Sequence, residues 1–184
     1  MTTIAFRNGI VAADSRCTGA GGLIYPDRPE KAGIIEKHGL IYGFAGPVFR
    51  GFHVVRQLTA LDRMPWDSGK PFLLEQGEGD EEIEFFVVNH QGRIFQFYST
   101  LWGETRADYI ALGSGCVAAM TAMYMGADAE RAIEVAAAMD CQTGGSIHTF
   151  KVSNLRPPAP PAKRAKRIKR SIASAPDEVP VQPA

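Results

Sequence analysis

The sequence predicts an α+β layered domain. Three observations carry this: segments of period two joined by tight-turn dipeptides, helical stripes of period 3.6 placed among them, and the order in which they come. That order is strands, one helix, strands, two helices and a last strand. No internal repeat is present.

The first strands are TTIAFRN and IVAADSR. They flank Asn8-Gly9, the dipeptide that supplies positive φ for a two-residue type I′ turn, and so form a hairpin. KAGIIEK and LIYGFAG form a second hairpin around His38-Gly39. Gly46-Pro47 then opens a helix, because proline suits a first helical position, and Val48, Phe52, Val55, Leu58 and Leu61 continue its apolar stripe. The breaker-rich, acidic PWDSGKPFLLEQGEGDEE reads mostly as a loop. EIEFFVVNHQGRIFQFYS gives a third hairpin around Asn89 to Gly92, and DYIALG a further strand. CVAAMTAMYM is a compact helix; after Gly126-Ala127, Asp128 caps a second, AERAIEVAAAM, which ends near Asp140. IHTFKV closes the domain as a strand.

At 184 residues, 45% hydrophobic and 22% charged, the chain has room for one core and some excess. The formal net charge of zero conceals an asymmetry. From residue 153 to 184 there are seven basic residues against Asp177 and Glu178, +5 in all, which leaves −5 on residues 1 to 152. Seven of the twelve prolines also lie in that segment, RPPAPPAKRAKRIKRSIASAPDEVPVQPA included. With so few apolar residues to offset the entropy of ordering, residues 153 to 184 are expected to be a disordered Pro-rich basic tail, polyproline-like at RPPAPP. Its KRAKRIKR run suits a nucleic acid, an acidic partner or an anionic surface, or serves only to solubilise.

Cys17, Cys116 and Cys141 are an odd number at unrelated spacings, without a CxxC pair or a Cys/His cluster, so neither a disulfide framework nor a zinc signature is present. A reducing cytoplasm is the expected location. No stretch approaches the apolar length of a membrane span, and no export signal is apparent.

The chemistry begins at the terminus. A threonine hydroxyl is a weak nucleophile that an adjacent free α-amine can activate, since an amine with an unperturbed pKa of about 7.7–8.0 is partly neutral near neutral pH. Met1 precedes a small residue, the circumstance in which an initiator methionine is removed, so the mature chain is expected to start at Thr2. Taken alone, Thr2 and Thr3 are equally ordinary β-formers at a strand start.

The residues that follow add to this. TTIA, GIVAADSR, the lysine of PEKAG, GFAG, LGSG and DCQTGG, in that order from Thr2 to about Val152, resemble the proteasome β-subunit family of N-terminal nucleophile hydrolases, which includes the bacterial HslV-type protease subunit. The resemblance implies a four-layer αββα sandwich over residues 1 to 152 and a threonine-type endopeptidase without metal or organic cofactor. It makes Thr2 the nucleophile, with its amine as general base, and Asp14 and Lys31 the charged partners that keep the amine neutral and favour the developing alkoxide. It makes Gly46 the oxyanion donor, Ser114 the serine near the amine, and Asp140 and Thr143 the pair completing the surround. It further implies a homo-oligomeric ring, a protein or peptide substrate and an ATP-dependent unfoldase partner.

Each residue has a plainer explanation. Asp14 and Lys31 make an acceptable structural ion pair, Ser114 and Thr143 are usual cap and turn residues, and Gly46 suits a turn. The four histidines pair with no nucleophile, and the cysteines suit a core. The chain also departs from the family: the first hairpin is short, the acidic loop stands where relatives carry a second helix, Pro47 replaces a glycine, and Phe44 is expected to narrow the substrate pocket. An N-terminal nucleophile amidase of narrow substrate, or a non-catalytic scaffold whose basic tail is the working part, are the other classes compatible with these residues.

Overall fold

A computed structural model describes residues 2–19, 23–25, 30–68, 83–98 and 101–158. Two antiparallel sheets face each other. The first has the order β8-β1-β2-β9, from β8 (Tyr109–Gly113), β1 (Thr3–Arg7), β2 (Ile10–Asp14) and β9 (Ile147–Lys151). The second runs β3-β4-β5-β6-β7, from β3 (Ala32–Ile35), β4 (Leu40–Ala45), β5 (Glu84–Asn89), β6 (Ile94–Tyr98) and β7 (Leu101–Thr105). Helices α1 (Val48–Ala60) and α2 (Pro65–Ser68) follow β4, and α3 (Cys116–Tyr124) and α4 (Ala129–Met139) follow β8.

Strand alternation divides the interior into three apolar clusters. Ile4, Phe6 and Val11 of the first sheet meet Ile41, Phe86 and Val88 of the second. The intervening Ala5 and Ala12 face the other way, onto Ala119 and Met123 of α3 and Ala132 and Ile133 of α4. On the far face of the second sheet, Phe44, Phe85 and Phe95 pack with Val54 and Leu58 of α1. Alanines at positions 5 and 12 let the helices approach the sheet closely. Arg7 closes this layer, donating to the carbonyls of Met123 and Ala127 and lying 5.5 Å over the Tyr109 ring.

The hairpins form where turn chemistry demands: Asn8 (φ 50) and Gly9 (φ 76) make the first, and a 3-10 turn over Glu36–His38 ending at Gly39 (φ 58) makes the second. Asp128 caps α4 by accepting the Arg131 N–H at 2.8 Å.

Three local expectations are corrected. Pro47 is extended (ψ 125) and stands as the N-cap, one place before the helix it was expected to begin. The buried seam of α1 is Gly51, Val54 and Leu58, with Phe52, Val55 and Leu61 partly buried beside it, because the Phe44 ring fills the space over Gly51. Strand β7 falls in TLWGETRA, where Gly103 and charged neighbours hide the alternation; Trp102 alone carries it, meeting Trp66 edge-on at 5.7 Å while Trp66 stacks on Phe95 at 3.9 Å. Of the expected acidic loop, residues 65–68 are the short helix α2, and residues 69–82 lie outside the described residues. A 3-10 turn at Val152–Asn154 follows β9; Leu155 packs on the inter-sheet core and the Arg156 carbonyl lies against Gly39. Most of the expected tail, residues 159–184, lies outside the described residues. No helix among the described residues is long and apolar enough to cross a membrane.

Candidate active site

At one end of the two facing sheets β1 begins, β2 ends, β3 begins, β4 ends, β5 begins and β8 ends. Pairing draws these termini together: Thr3 lies opposite Gly113, Ala32 opposite Gly43, and Ala45 opposite Glu84. Thr2 sits at this mouth and is fully buried. Its hydroxyl donates to the Arg16 carbonyl at 3.2 Å. Its own carbonyl lies so near Gly113 (φ 92) that a Cβ there would stand 1.6 Å from the oxygen and 3.2 Å from the Ala45 Cβ. Gly46, with φ 124, follows directly on Ala45.

On one side of Thr2 lies the Asp14 carboxylate, which is occupied by backbone donors. Oδ1 accepts the Thr3 N–H at 2.8 Å; Oδ2 accepts Gly144 N–H at 2.8 Å and Arg16 N–H at 3.3 Å. Burial pushes this carboxyl above the ordinary carboxylate range, against the opposing pull of those three donors and of Lys31. Lys31 is 5% exposed. Burial lowers its ammonium below the ordinary lysine range, while Cys17 and Asp14 act in the other direction. No salt bridge joins Asp14 to Lys31 among the described residues, so the plainer explanation of the two as a direct structural ion pair is not met and they interact through space. A shallow cleft with room for little more than a water molecule opens beside the lysine, lined by Asp14, Ser15, Glu30, Lys31 and His148 among others.

On the other side is a chain of hydroxyls. Ser114 Oγ and Thr143 Oγ1 both donate to Asp140 Oδ2, at 2.5 and 2.6 Å, and the Gln142 N–H reaches Oδ1 at 3.1 Å. Thr143 has one proton and gives it to Asp140, so the 2.6 Å contact between Thr3 Oγ1 and Thr143 Oγ1 has Thr3 as donor. Thr3 Oγ1 in turn accepts the Gly115 N–H at 2.9 Å. Desolvation raises the Asp140 carboxyl, but these donors outweigh it and hold the group below the usual range.

Thus Thr2, Asp14, Lys31 and Gly46 gather at the mouth, and Ser114, Asp140 and Thr143 form one hydrogen-bonded unit behind it. The hydroxyl of Ser114 is directed to Asp140. Phe44, expected to narrow the pocket, is fully buried against Gly51, Phe52 and Phe85 on the far face of the sheet and presents no surface to a substrate. Its neighbour Ala45 faces the mouth, as strand alternation requires.

Three residues at the site escaped the sequence reading. Thr3 links the hydroxyl chain to β1, and its position next to Thr2 was the available signal. Arg16 holds Thr2 by its carbonyl and straps the turn bearing Thr143, donating from its guanidinium to the Cys141 carbonyl at 2.7 Å and from its N–H to the Gly144 carbonyl at 2.9 Å. Glu84 reaches across from β5 to accept the Gly113 N–H at 2.7 Å. No group of His, Cys, Asp and Glu side chains among the described residues could hold a metal ion.

No family model and no curated protein matches the chain. Solved structures do. The chain is similar to Thiobacillus denitrificans BPH in complex with epoxomicin, at 20% identity and a TM-score of 0.59, over 86% of this chain and 99% of that one. It is similar to Thiobacillus denitrificans BPH alone at 20% identity and a TM-score of 0.58, over 86% and 98% of the two chains. This likeness supports a proteasome-like fold for the two facing sheets and their helices.

Proposed function

We propose that the chain is a threonine-type peptidase of the N-terminal nucleophile kind, built as a four-layer αββα sandwich, and that it acts once processed to begin at Thr2. The observation that carries the reading is the environment of Thr2: a buried lysine and aspartate on one side, a satisfied Asp140 network on the other, and a positive-φ glycine in front. The three apolar clusters support the layered reading, and the similarity to a protein complexed with epoxomicin, a threonine protease inhibitor, supports the chemistry.

In this mechanism the Thr2 α-amine takes the proton of its own hydroxyl as Oγ1 bonds to the substrate carbonyl carbon. Lys31, whose ammonium is already disfavoured by burial, stabilises the developing alkoxide. The Gly46 N–H donates to the tetrahedral oxyanion, a contribution of about 3 kcal/mol for a preorganised donor; Pro47 has no N–H to add. Cleavage of the C–N bond returns the proton from the ammonium to the leaving amine and leaves an ester on Thr2. The amine then takes a proton from water, and the hydroxide formed at the ester carbon releases the acid and restores the hydroxyl. Asp140, Ser114 and Thr143 fix the start of β1. Assembly into a ring that receives unfolded chains from an ATPase is part of the same proposal.

Full burial of Thr2 favours the scaffold reading for a chain that keeps a residue before Thr2, because both amine and hydroxyl are then unavailable. Intact-mass and peptide mass spectrometry before and after an epoxyketone probe, which needs both groups, separates the two. A chain starting at Thr2 that gains one probe mass, and a Thr2→Ala variant that does not, support the peptidase. An unprocessed chain without labelling overturns it in favour of the scaffold.

A further inference from the structure

Glu84 is the first residue of β5 and pairs with Ala45 of β4, so both face the first sheet, as Phe86 and Val88 do farther along. Its carboxylate spans the mouth: Oε2 accepts the Gly113 N–H at 2.7 Å, and Gly113 lies against the Thr2 carbonyl and Ala45. One oxygen is therefore anchored while the side chain remains exposed. Among the described residues no basic side chain lies within 4.0 Å of it. The sequence enters β5 through a strongly acidic run, EQGEGDEEIE, with six carboxylates and no basic residue in residues 75–84.

An anchored, exposed carboxylate at the mouth that holds Thr2 and Gly46, with no ion-pair partner among the described residues, is a recognition element for a cation. We infer that Glu84 selects peptides that carry lysine or arginine close to the scissile bond. This deepens the peptidase reading and rests on it: the substrate class becomes basic peptide segments, and Glu84 the residue that determines the preference.

The test uses the processed full chain and fluorogenic peptides identical except for lysine, glutamine or glutamate at each of the positions flanking the cleaved bond. The quantity read is the ratio of kcat/KM for the lysine and glutamine peptides. At low salt it should favour lysine by about three- to fivefold at one position or more, the range of an exposed charge pair, and should fall as salt screens the interaction. Glu84→Gln keeps an acceptor for the Gly113 N–H and removes the charge; there the ratio should approach one, and in Glu84→Lys it should favour glutamate. A ratio unchanged in Glu84→Gln, or no lysine preference at any position, overturns the inference and leaves Glu84 as a strand-end acceptor only. Thr2→Ala is assayed in parallel: cleavage that depends on Thr2 but ignores charge sinks this inference alone, whereas no Thr2-dependent cleavage sinks the peptidase reading and this one with it.

Discussion

Removing the hydroxyl of Thr3 without changing its volume should damage stability, whereas the same change at Thr2 should damage only activity. Thr3→Val leaves the fully buried strand start filled and slightly improves its β-propensity. The cost arises from hydrogen bonds: the Gly115 N–H loses its buried acceptor, and Thr143 Oγ1 loses the donor that complements its own bond to Asp140. An orphaned buried N–H costs about 1–3 kcal/mol. Since Thr143 still donates to Asp140, the sum should be about 2 kcal/mol. For a chain of this size that is a fall of about 4–8 °C in Tm. Among the described residues the Thr2 hydroxyl makes one bond, at 3.2 Å and at the long end of the useful range, so Thr2→Val should cost under about 1 kcal/mol while abolishing probe labelling. Urea denaturation and thermal melts of both variants measure the stabilities. A Thr3→Val variant within about 0.5 kcal/mol of the parent, or a Thr2→Val variant that loses more than Thr3→Val, would refute the anchoring role assigned to the Thr3 hydroxyl.

Gly113→Ala should eliminate labelling of Thr2 and lower Tm, since φ 92 is strained for alanine and its Cβ would overlap the Thr2 carbonyl; an alanine variant labelled at the parent rate contradicts the packing described. Asp140 has a depressed carboxyl, so the stability it contributes is present above its unfolded value near 3.8 and is lost as the pH falls through its folded value. Urea melts between about pH 6 and 2 should show the parent losing more stability than Asp140→Asn; the raised carboxyl of Asp14 is common to both and cancels in the comparison, and parallel curves would remove the basis for the shift. Lys31 is lowered from 10.5 by burial, so between its folded value and 10.5 the unfolded chain binds more protons and stability gains with rising pH. Lys31→Met should lack that gain and lack activity; a difference between parent and variant that is flat with pH counts against the burial cost.

The hairpins, the capped α4 and the chain order were legible because each depends on local chemistry: a dipeptide with positive φ, an Asp at an N-cap, or a run of alternating apolar residues. Strand β7 was not, since one Trp in five residues makes no period and its place is fixed by pairing with β6. The orientation of Phe44 was misread for a related reason. Position beside Gly46 in sequence suggested the pocket, but alternate residues of β4 face opposite layers, and Phe44 belongs to the layer of α1. At the site, residue types could be read from the motifs while their partners could not. Nothing in AADSR or PEKAG reveals that Asp14 spends its oxygens on Thr3, Arg16 and Gly144 and makes no direct ion pair with Lys31.

That allocation explains why the shortness of the first hairpin matters to the chemistry. The Asn8-Gly9 turn fixes Ile4 opposite Ala13, which brings Thr3 level with Asp14 and lets the carboxylate receive the Thr3 N–H. On the opposite edge of β1 the pairing of Thr3 with Gly113 brings Gly115 and Thr143 to the Thr3 hydroxyl. Thr3 is therefore held by its nitrogen from β2 and by its hydroxyl from the β8–α3 and α4–β9 connections, so the residue before it has little freedom of its own. A one-residue slip of the hairpin would turn Asp14 to the other face and undo both anchors at once. Asp14 thus acts through position, as the point where the start of β1, the Arg16 bend and the Gly144 turn are tied together. The Thr2 hydroxyl, whose one hydrogen bond among the described residues is the 3.2 Å contact to the Arg16 carbonyl, is thereby held buried at the end of a strand fixed on both edges.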